Sequence, residues 1–299
     1  MQIEERDPGS FVLGRTLMVL IVIVGVVGLV FVFRGPALPT PEAQQILLLS
    51  TDEGSVDYDL FATVLDTYVD ERGMVDYAGV KASPAALDAF LAQLEDHSPD
   101  SNAAMFTTED EALTYWLNAY NAWCMKIVAD HYPVDSINDI GEKKGAAFDL
   151  AVCKLGGKTL SLNNIEQDIV RVQFPEPRVH FALNCASLGC PPLPPWPFQV
   201  DMLDMQLDSV TIDFLSRKWY AHVNEDGSVA LSSILKWYGE DFIKWLEANS
   251  KEPLIGTWVQ LYAHDDVAKA LEGGAEIEFI EYDWRLTDQA ADWGATERR

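Results

Sequence analysis

Residues Arg178 to Pro195 read RVHFALNCASLGCPPLPP, and the choice of fold turns on this stretch. Val179, Phe181 and Leu183 alternate with His180, Ala182 and Asn184, the period-two pattern of a short buried strand. On such a strand His180 and Asn184 share one face while Cys185 points to the other. A His180–Cys185 pair therefore needs the strand to end or bulge at Asn184. The small residues Ala186-Ser187-Leu188-Gly189 allow that break. Pro191, Pro192, Pro194, Pro195 and Pro197 then exclude helix and central strand, so the chain leaves as an extended loop. Two roles stay open for the cysteines: a nucleophile at a strand end, or a turn closed by a Cys185–Cys190 disulfide.

Upstream, Thr108 to His131 has the marks of a heavily buried central helix. Thr108 serves as cap, Glu109, Asp110 and Glu111 complement the dipole in the first turn, and Leu113, Trp116, Leu117, Tyr120, Cys124, Ile127 and Val128 keep helical spacing. Asn118 and Asn121 lie three apart near one face of this apolar helix and require a polar network. Tyr58 to Val69 and the segment opened by Ser83-Pro84 are further helices, with Val75 to Tyr77 as a short extended piece between them. Phe148 to Val152 and Lys158 to Ser161 read as a hairpin around Gly156-Gly157. Asn163 with Glu166 three positions on has the layout of a capping box, which explains Glu166 as a helix-start residue.

Beyond the prolines, Asp201 to Leu215 is an amphipathic helix, and Tyr220 to Val223 with Ser228 to Leu231 forms a second hairpin. Ser232 or Ser233 caps the helix containing Glu240 and Asp241. Ile277 to Tyr282 alternates as a last strand.

Thr16 to Phe33 is eighteen residues without a charge, about 27 Å as a helix and close to a bilayer core. Its length exceeds a signal-peptide core of about 7–15 residues, so an uncleaved anchor is expected at 16–33. Arg6 and Arg15 before it favour a cytoplasmic N-terminus, which puts the rest on the outer, periplasmic side of an inner or cytoplasmic membrane as a single-pass protein. The resulting plan is a tail at 1–15, the anchor at 16–33, a proline-rich linker at 34–56, a globular domain at 57–287 and a flexible tail at 288–299. Asp and Glu total 47 against 21 Lys and Arg, a formal charge of −26. Such a field repels phosphate backbones and argues against nucleic-acid binding.

Five blocks in order, YWLNAYNA at 115–122, LSLNNIE at 160–166, RVHFALNCASLGCPPL at 178–193, SSILKWYGEDF at 232–242 and YDWRL at 282–286, resemble domain of unknown function 547. That family in turn looks like the papain and transglutaminase superfamily, in which a nucleophilic Cys starts a central helix and a His follows on a strand of an antiparallel sheet. The resemblance implies an α+β fold, a central buried helix packed on a mostly antiparallel sheet. It departs from the superfamily in placing Asn118 or Asn121 where the cysteine would stand.

The enzyme reading makes Cys185, or else Cys190, the nucleophile of a hydrolase or acyl transferase acting on peptide or amide bonds, with His180 as base. Asn118, Asn121 and Asn184 are candidates to orient the ring or donate to an oxyanion, and Glu240 and Asp241 to supply a carboxylate. Cys124 and Cys153 read as core residues. No cofactor or metal is called for, since the Cys185–Cys190 spacing lacks the two-plus-two ligand pattern. The competing reading is a non-catalytic binding or assembly module, holding a peptide or glycan in a groove formed by Trp196, Trp219 and Trp237.

Overall fold

The computed structural model describes residues 56–291. The anchor expected at 16–33 and most of the linker lie outside the described residues. Among those described, no helix is long and apolar enough to cross a membrane.

Three helices, α1 (Tyr58–Tyr68), α2 (Tyr77–Ala82) and α3 (Ala85–Asp96), pack beside the long α4 (Glu109–His131). Asp57 caps α1 by accepting from the Asp59 N–H, and Phe61 stacks on Phe90 of α3 at 4.9 Å. Asp76 caps α2 through the Gly79 N–H, so the extended piece expected at 75–77 is cut short and Tyr77 already begins a helix. Pro84 itself takes the cap position of α3, without a side-chain bond, in place of Ser83.

The start of α4 is as its sequence dictates. Thr108 Oγ1 accepts from the Glu111 N–H at 3.2 Å and Glu111 Oε2 accepts from the Thr108 N–H at 2.9 Å. This reciprocal pair satisfies two of the donors every helix start leaves open. From Leu113 to Ala129 the helix is buried on nearly every side.

The sheets are small. Strands β1 (Cys153–Leu155) and β2 (Lys158–Leu160) form an antiparallel hairpin about Gly156-Gly157, but its first strand begins past the expected 148–152, where Phe148 belongs to a 3₁₀ turn at Ala146–Asp149. Strands β3 (Ala221–Val223) and β4 (Val229–Ser232) pair antiparallel, and β5 (Ile277–Ile280) adds parallel to β4. The second sheet is therefore mixed, and α4 packs against helices and irregular segments in place of an antiparallel sheet. The α+β composition stands, while the expected layering of central helix on sheet does not.

The segment from Arg178 to Cys185 is not a strand. Pro177 to Phe181 winds as a 3₁₀ turn, its start capped by Glu176, whose carboxylate accepts the Arg178 N–H at 3.0 Å. Proline at a first helical position is preset in φ and lacks the N–H that would go unused there. Glu176-Pro177 thus starts a turn that the apolar alternation concealed.

After the proline loop come α5 (Leu203–Ser216), α6 (Ser233–Trp237), α7 (Gly239–Ala248), α8 (Ile255–Val259) and α9 (Asp265–Glu272). Ser232 caps α6 through the Ile234 N–H, as expected. The chain does not fray at 288. The Asp288 carboxylate accepts from the Tyr132 hydroxyl at 2.8 Å, and the Gln289 amide donates to the Tyr68 and Met74 carbonyls.

Candidate functional site

The central helix holds the loops of the site by their backbones. The Asn118 amide donates to the Phe198 carbonyl and accepts from the Phe198 N–H, both at 2.9 Å. Asn121 donates to the Ala182 carbonyl at 2.9 Å and accepts from the Asn184 N–H at 2.8 Å. Asn184 donates to the Pro191 carbonyl at 2.7 Å and accepts from the Ala186 N–H at 2.9 Å. All three side chains are buried, and none orients the imidazole. The hydrogen bonds these amides make are to backbone groups.

This clamping sets the turn that carries Cys185. Ala186 adopts φ 60, and the turn is strapped by the C-terminal segment: Leu188 N–H donates to the Arg285 carbonyl, Gly189 N–H to Asp283 and Thr287 N–H to Ala186. Glycine is required at 189, because a Cβ there would lie 2.8 Å from the Tyr282 ring and 2.9 Å from the Asp283 nitrogen. The strap brings Tyr282 over the thiol, with its hydroxyl 2.8 Å from Cys185 Sγ. Ser187 Oγ is 3.4 Å from the same sulfur, and the Cys185 N–H donates to Cys190 Sγ at 2.8 Å.

All four cysteines are free thiols. Burial alone would raise the Cys185 pKa, but hydrogen bonds from the Cys190 thiol and the Ser187 and Tyr282 hydroxyls outweigh it and draw the value below that of an ordinary thiol. Burial and the neighbouring Cys185 push Cys190 the other way. Of the two nucleophile candidates, Cys185 is the one whose pKa is drawn down and the one partly exposed. Cys124 and Cys153 sit in the core, as expected.

His180 Nε2 meets Asp241 Oδ2 at 2.9 Å. Arg171 grips the same carboxylate with two bonds, Nε to Oδ2 at 2.6 Å and Nη2 to Oδ1 at 3.0 Å. Burial opposes the Asp241 charge, yet the bonds from His180 and Arg171 dominate and hold its pKa far below the carboxylate range. A fixed carboxylate on Nε2 selects the tautomer in which Nδ1 is the unprotonated nitrogen. The Tyr238 ring stacks on the imidazole at 4.0 Å. Glu240, the carboxylate candidate beside Asp241, is exposed, pairs with Lys244 at 3.6 Å and does not line the cavity shared by His180 and Cys185.

Glu166 is where the sequence reading misled most. It lies on a π-helical segment, Asn164–Val170, whose start is closed by Ser161 and Asn164, while Asn163 donates to Asp149 instead. Its carboxylate is buried and accepts from the Tyr238 hydroxyl at 2.5 Å, the Gln167 amide at 2.9 Å and the Tyr120 hydroxyl at 3.2 Å. A π turn widens the helix by one residue and commonly marks a functional position. No spacing rule announces such a turn.

These groups converge on one cavity of about 320 Å³, whose walls include Tyr120, Glu166, His180, Cys185, Cys190, Tyr238 and Tyr282. Trp237 and Trp284 also line it. Trp237 touches Tyr282 at 4.8 Å and Trp284 at 6.3 Å between centroids, making a three-ring cluster. Of the tryptophans expected to form a groove, only Trp237 lines this cavity; Trp196 and Trp219 pack on the core. Among the described residues, no group of three or more His, Cys, Asp or Glu side chains stands where it could hold a metal ion.

Residues 105–215 match the family model described as "Protein of unknown function, DUF547". The chain carries a DUF547 segment. No curated protein and no solved structure matches it. The DUF547 segment contains Tyr120, Glu166, His180, Cys185 and Cys190, whereas Tyr238, Asp241, Tyr282 and the aromatic cluster come from the chain beyond it. Five of the thirteen residues that line the cavity thus come from outside the matched span.

Proposed function

We propose that this protein is a cysteine-dependent acyl-transfer enzyme, a hydrolase or acyl transferase of peptide or amide bonds, with Cys185 as nucleophile and His180 as general base and acid. The observation that carries this reading is the convergence of a thiol with lowered pKa and an imidazole fixed by Asp241 on one cavity. His180 takes the Cys185 thiol proton as Sγ attacks the carbonyl carbon and gives it to the amine as the C–N bond breaks. Water or a second amine, losing a proton to His180, then attacks the thioester carbon, and the C–S bond breaks to return the thiol. Asp241, with Arg171 behind it, positions the ring.

One observation favours the alternative, a binding module on the same scaffold. Among the described residues the imidazole makes no hydrogen bond to Cys185. Catalytic hydrogen bonds often tighten only when substrate is bound, so this geometry is compatible with either role. The apolar stretch at 16–33 would hold the domain to the outer face of a membrane, where a peptide or protein is the natural partner.

Incubation with a panel of peptide amides and activated esters, followed by intact-protein mass spectrometry, tests the reaction. The expected result is an acyl adduct on Cys185, absent in Cys185→Ala and formed at least ~100-fold more slowly in His180→Ala. Absence of any adduct, together with alkylation of Cys185 at the same rate in wild type and His180→Ala, would establish the binding module instead.

A further inference from the structure

The cavity is lined by a buried carboxyl group that, among the described residues, no Lys or Arg side chain bonds directly. Glu166 is 8% exposed, and three donors point at its carboxylate while nothing accepts from it. Among the described residues it takes part in no ion pair, and no Lys or Arg lines the cavity. Arg171, the cation on the same stretch of chain, uses Nε and Nη2 on Asp241 and Nη1 on Gln167. Arg171 is near enough for its charge to be felt at Glu166, yet none of its N–H groups reaches the carboxyl group, which leaves that group as an acceptor for a cationic donor in the cavity.

The walls specify the rest of that ligand. Phe148, Leu183 and Ile234 are apolar, and the Trp237–Tyr282–Trp284 cluster offers ring faces of the kind that attract cations and pack along methylene stems. At about 320 Å³ the cavity is sized for one extended side chain. Oε1 of Glu166 already receives two hydrogen bonds and Oε2 only one, leaving a single lone pair open. A guanidinium fork needs both oxygens, and a quaternary ammonium has no proton to give. A primary ammonium needs one oxygen.

We propose that the cavity binds a lysine side chain of a peptide, with its stem against the aromatic cluster and its ammonium on Glu166 Oε2. That this lysine belongs to the substrate acylating Cys185 rests on the function proposed above; the binding itself does not. Calorimetry on the full-length protein would compare Nα-acetyl-lysine N-methylamide with its norleucine and arginine counterparts. The lysine compound is expected to bind at least ~10-fold tighter than either. Glu166→Gln should erase that preference. Because Glu166 is buried and its replacement could unfold the chain, Trp237→Leu at a half-exposed ring provides a second arm, expected to weaken the lysine compound and, through the shared methylene stem, the norleucine compound.

Equal binding of the three compounds, a preference for arginine, or no binding of any would overturn the proposal. Lysine binding without any acyl adduct on Cys185 would refute the catalytic reading and leave this one standing. Adduct formation on Cys185 together with no calorimetric preference for the lysine compound would do the reverse.

Discussion

At the scale of single residues, the decisive contact is the hydroxyl of Tyr282 at 2.8 Å from Cys185 Sγ. Donors stabilise the thiolate and so lower the pKa; removing one raises it. Tyr282→Phe is therefore expected to move the midpoint of iodoacetamide alkylation to higher pH and to slow the reaction at pH 7 several-fold, read from a pH–rate profile of Cys185. An unchanged midpoint would show that the tyrosine does not tune the thiol. The same logic explains the contrast between Asp241 and Glu240. Adjacent carboxylates on one helix start differ because only Asp241 is turned toward Arg171 and His180.

At the scale of elements, α4 acts as a buried rod from which loops hang. Asn121 alone ties both the Ala182 carbonyl and the Asn184 N–H, so its removal leaves two buried backbone groups without partners. Each costs about 1–3 kcal/mol. Asn121→Ala is expected to destabilise the domain by about 2–4 kcal/mol in urea titrations and to slow Cys185 alkylation in the folded protein, because Asn184 directs the turn. Asn118→Ala leaves a similar pair unpartnered at Phe198, in the proline loop. It should cost comparable stability while sparing the thiol's reactivity. Equal effects of the two variants on alkylation would contradict this division of labour.

At the scale of the whole molecule, a formal charge of −26 means self-repulsion in the compact state. Raising sodium chloride from about 10 mM to about 0.5 M shortens the Debye length from roughly 30 Å to under 8 Å. The melting temperature is accordingly expected to rise by a few degrees in differential scanning calorimetry; a fall would mean that surface ion pairs such as Lys158–Asp100 outweigh the repulsion. Two spans of chain must meet to complete the site. Tyr282 and Trp284 arrive on a C-terminal strap that bonds to the 186–189 turn, so loss of that strap removes the thiol's hydroxyl donor along with one wall.

What the sequence by itself determined is the set of features governed by neighbouring residues. Thr108 with Glu111 closes the start of α4, a serine at 232 or 233 starts α6, and Gly156-Gly157 turns the first hairpin. Local hydrogen bonds and φ preferences settle these without the rest of the chain. Only the tertiary structure decided the rest. Apolar alternation at 179–183 measured burial, which a 3₁₀ turn packed on α5 satisfies as well as a strand. Glu166 fits a helix start on paper, yet a π turn aims it at Tyr120 and Tyr238, 46 and 72 positions away. Which carboxylate holds His180, and which hydroxyl reaches Cys185, depend on contacts across 61 and 97 positions. Pairings at such separations are fixed by how the elements pack, a property that no local window of sequence contains.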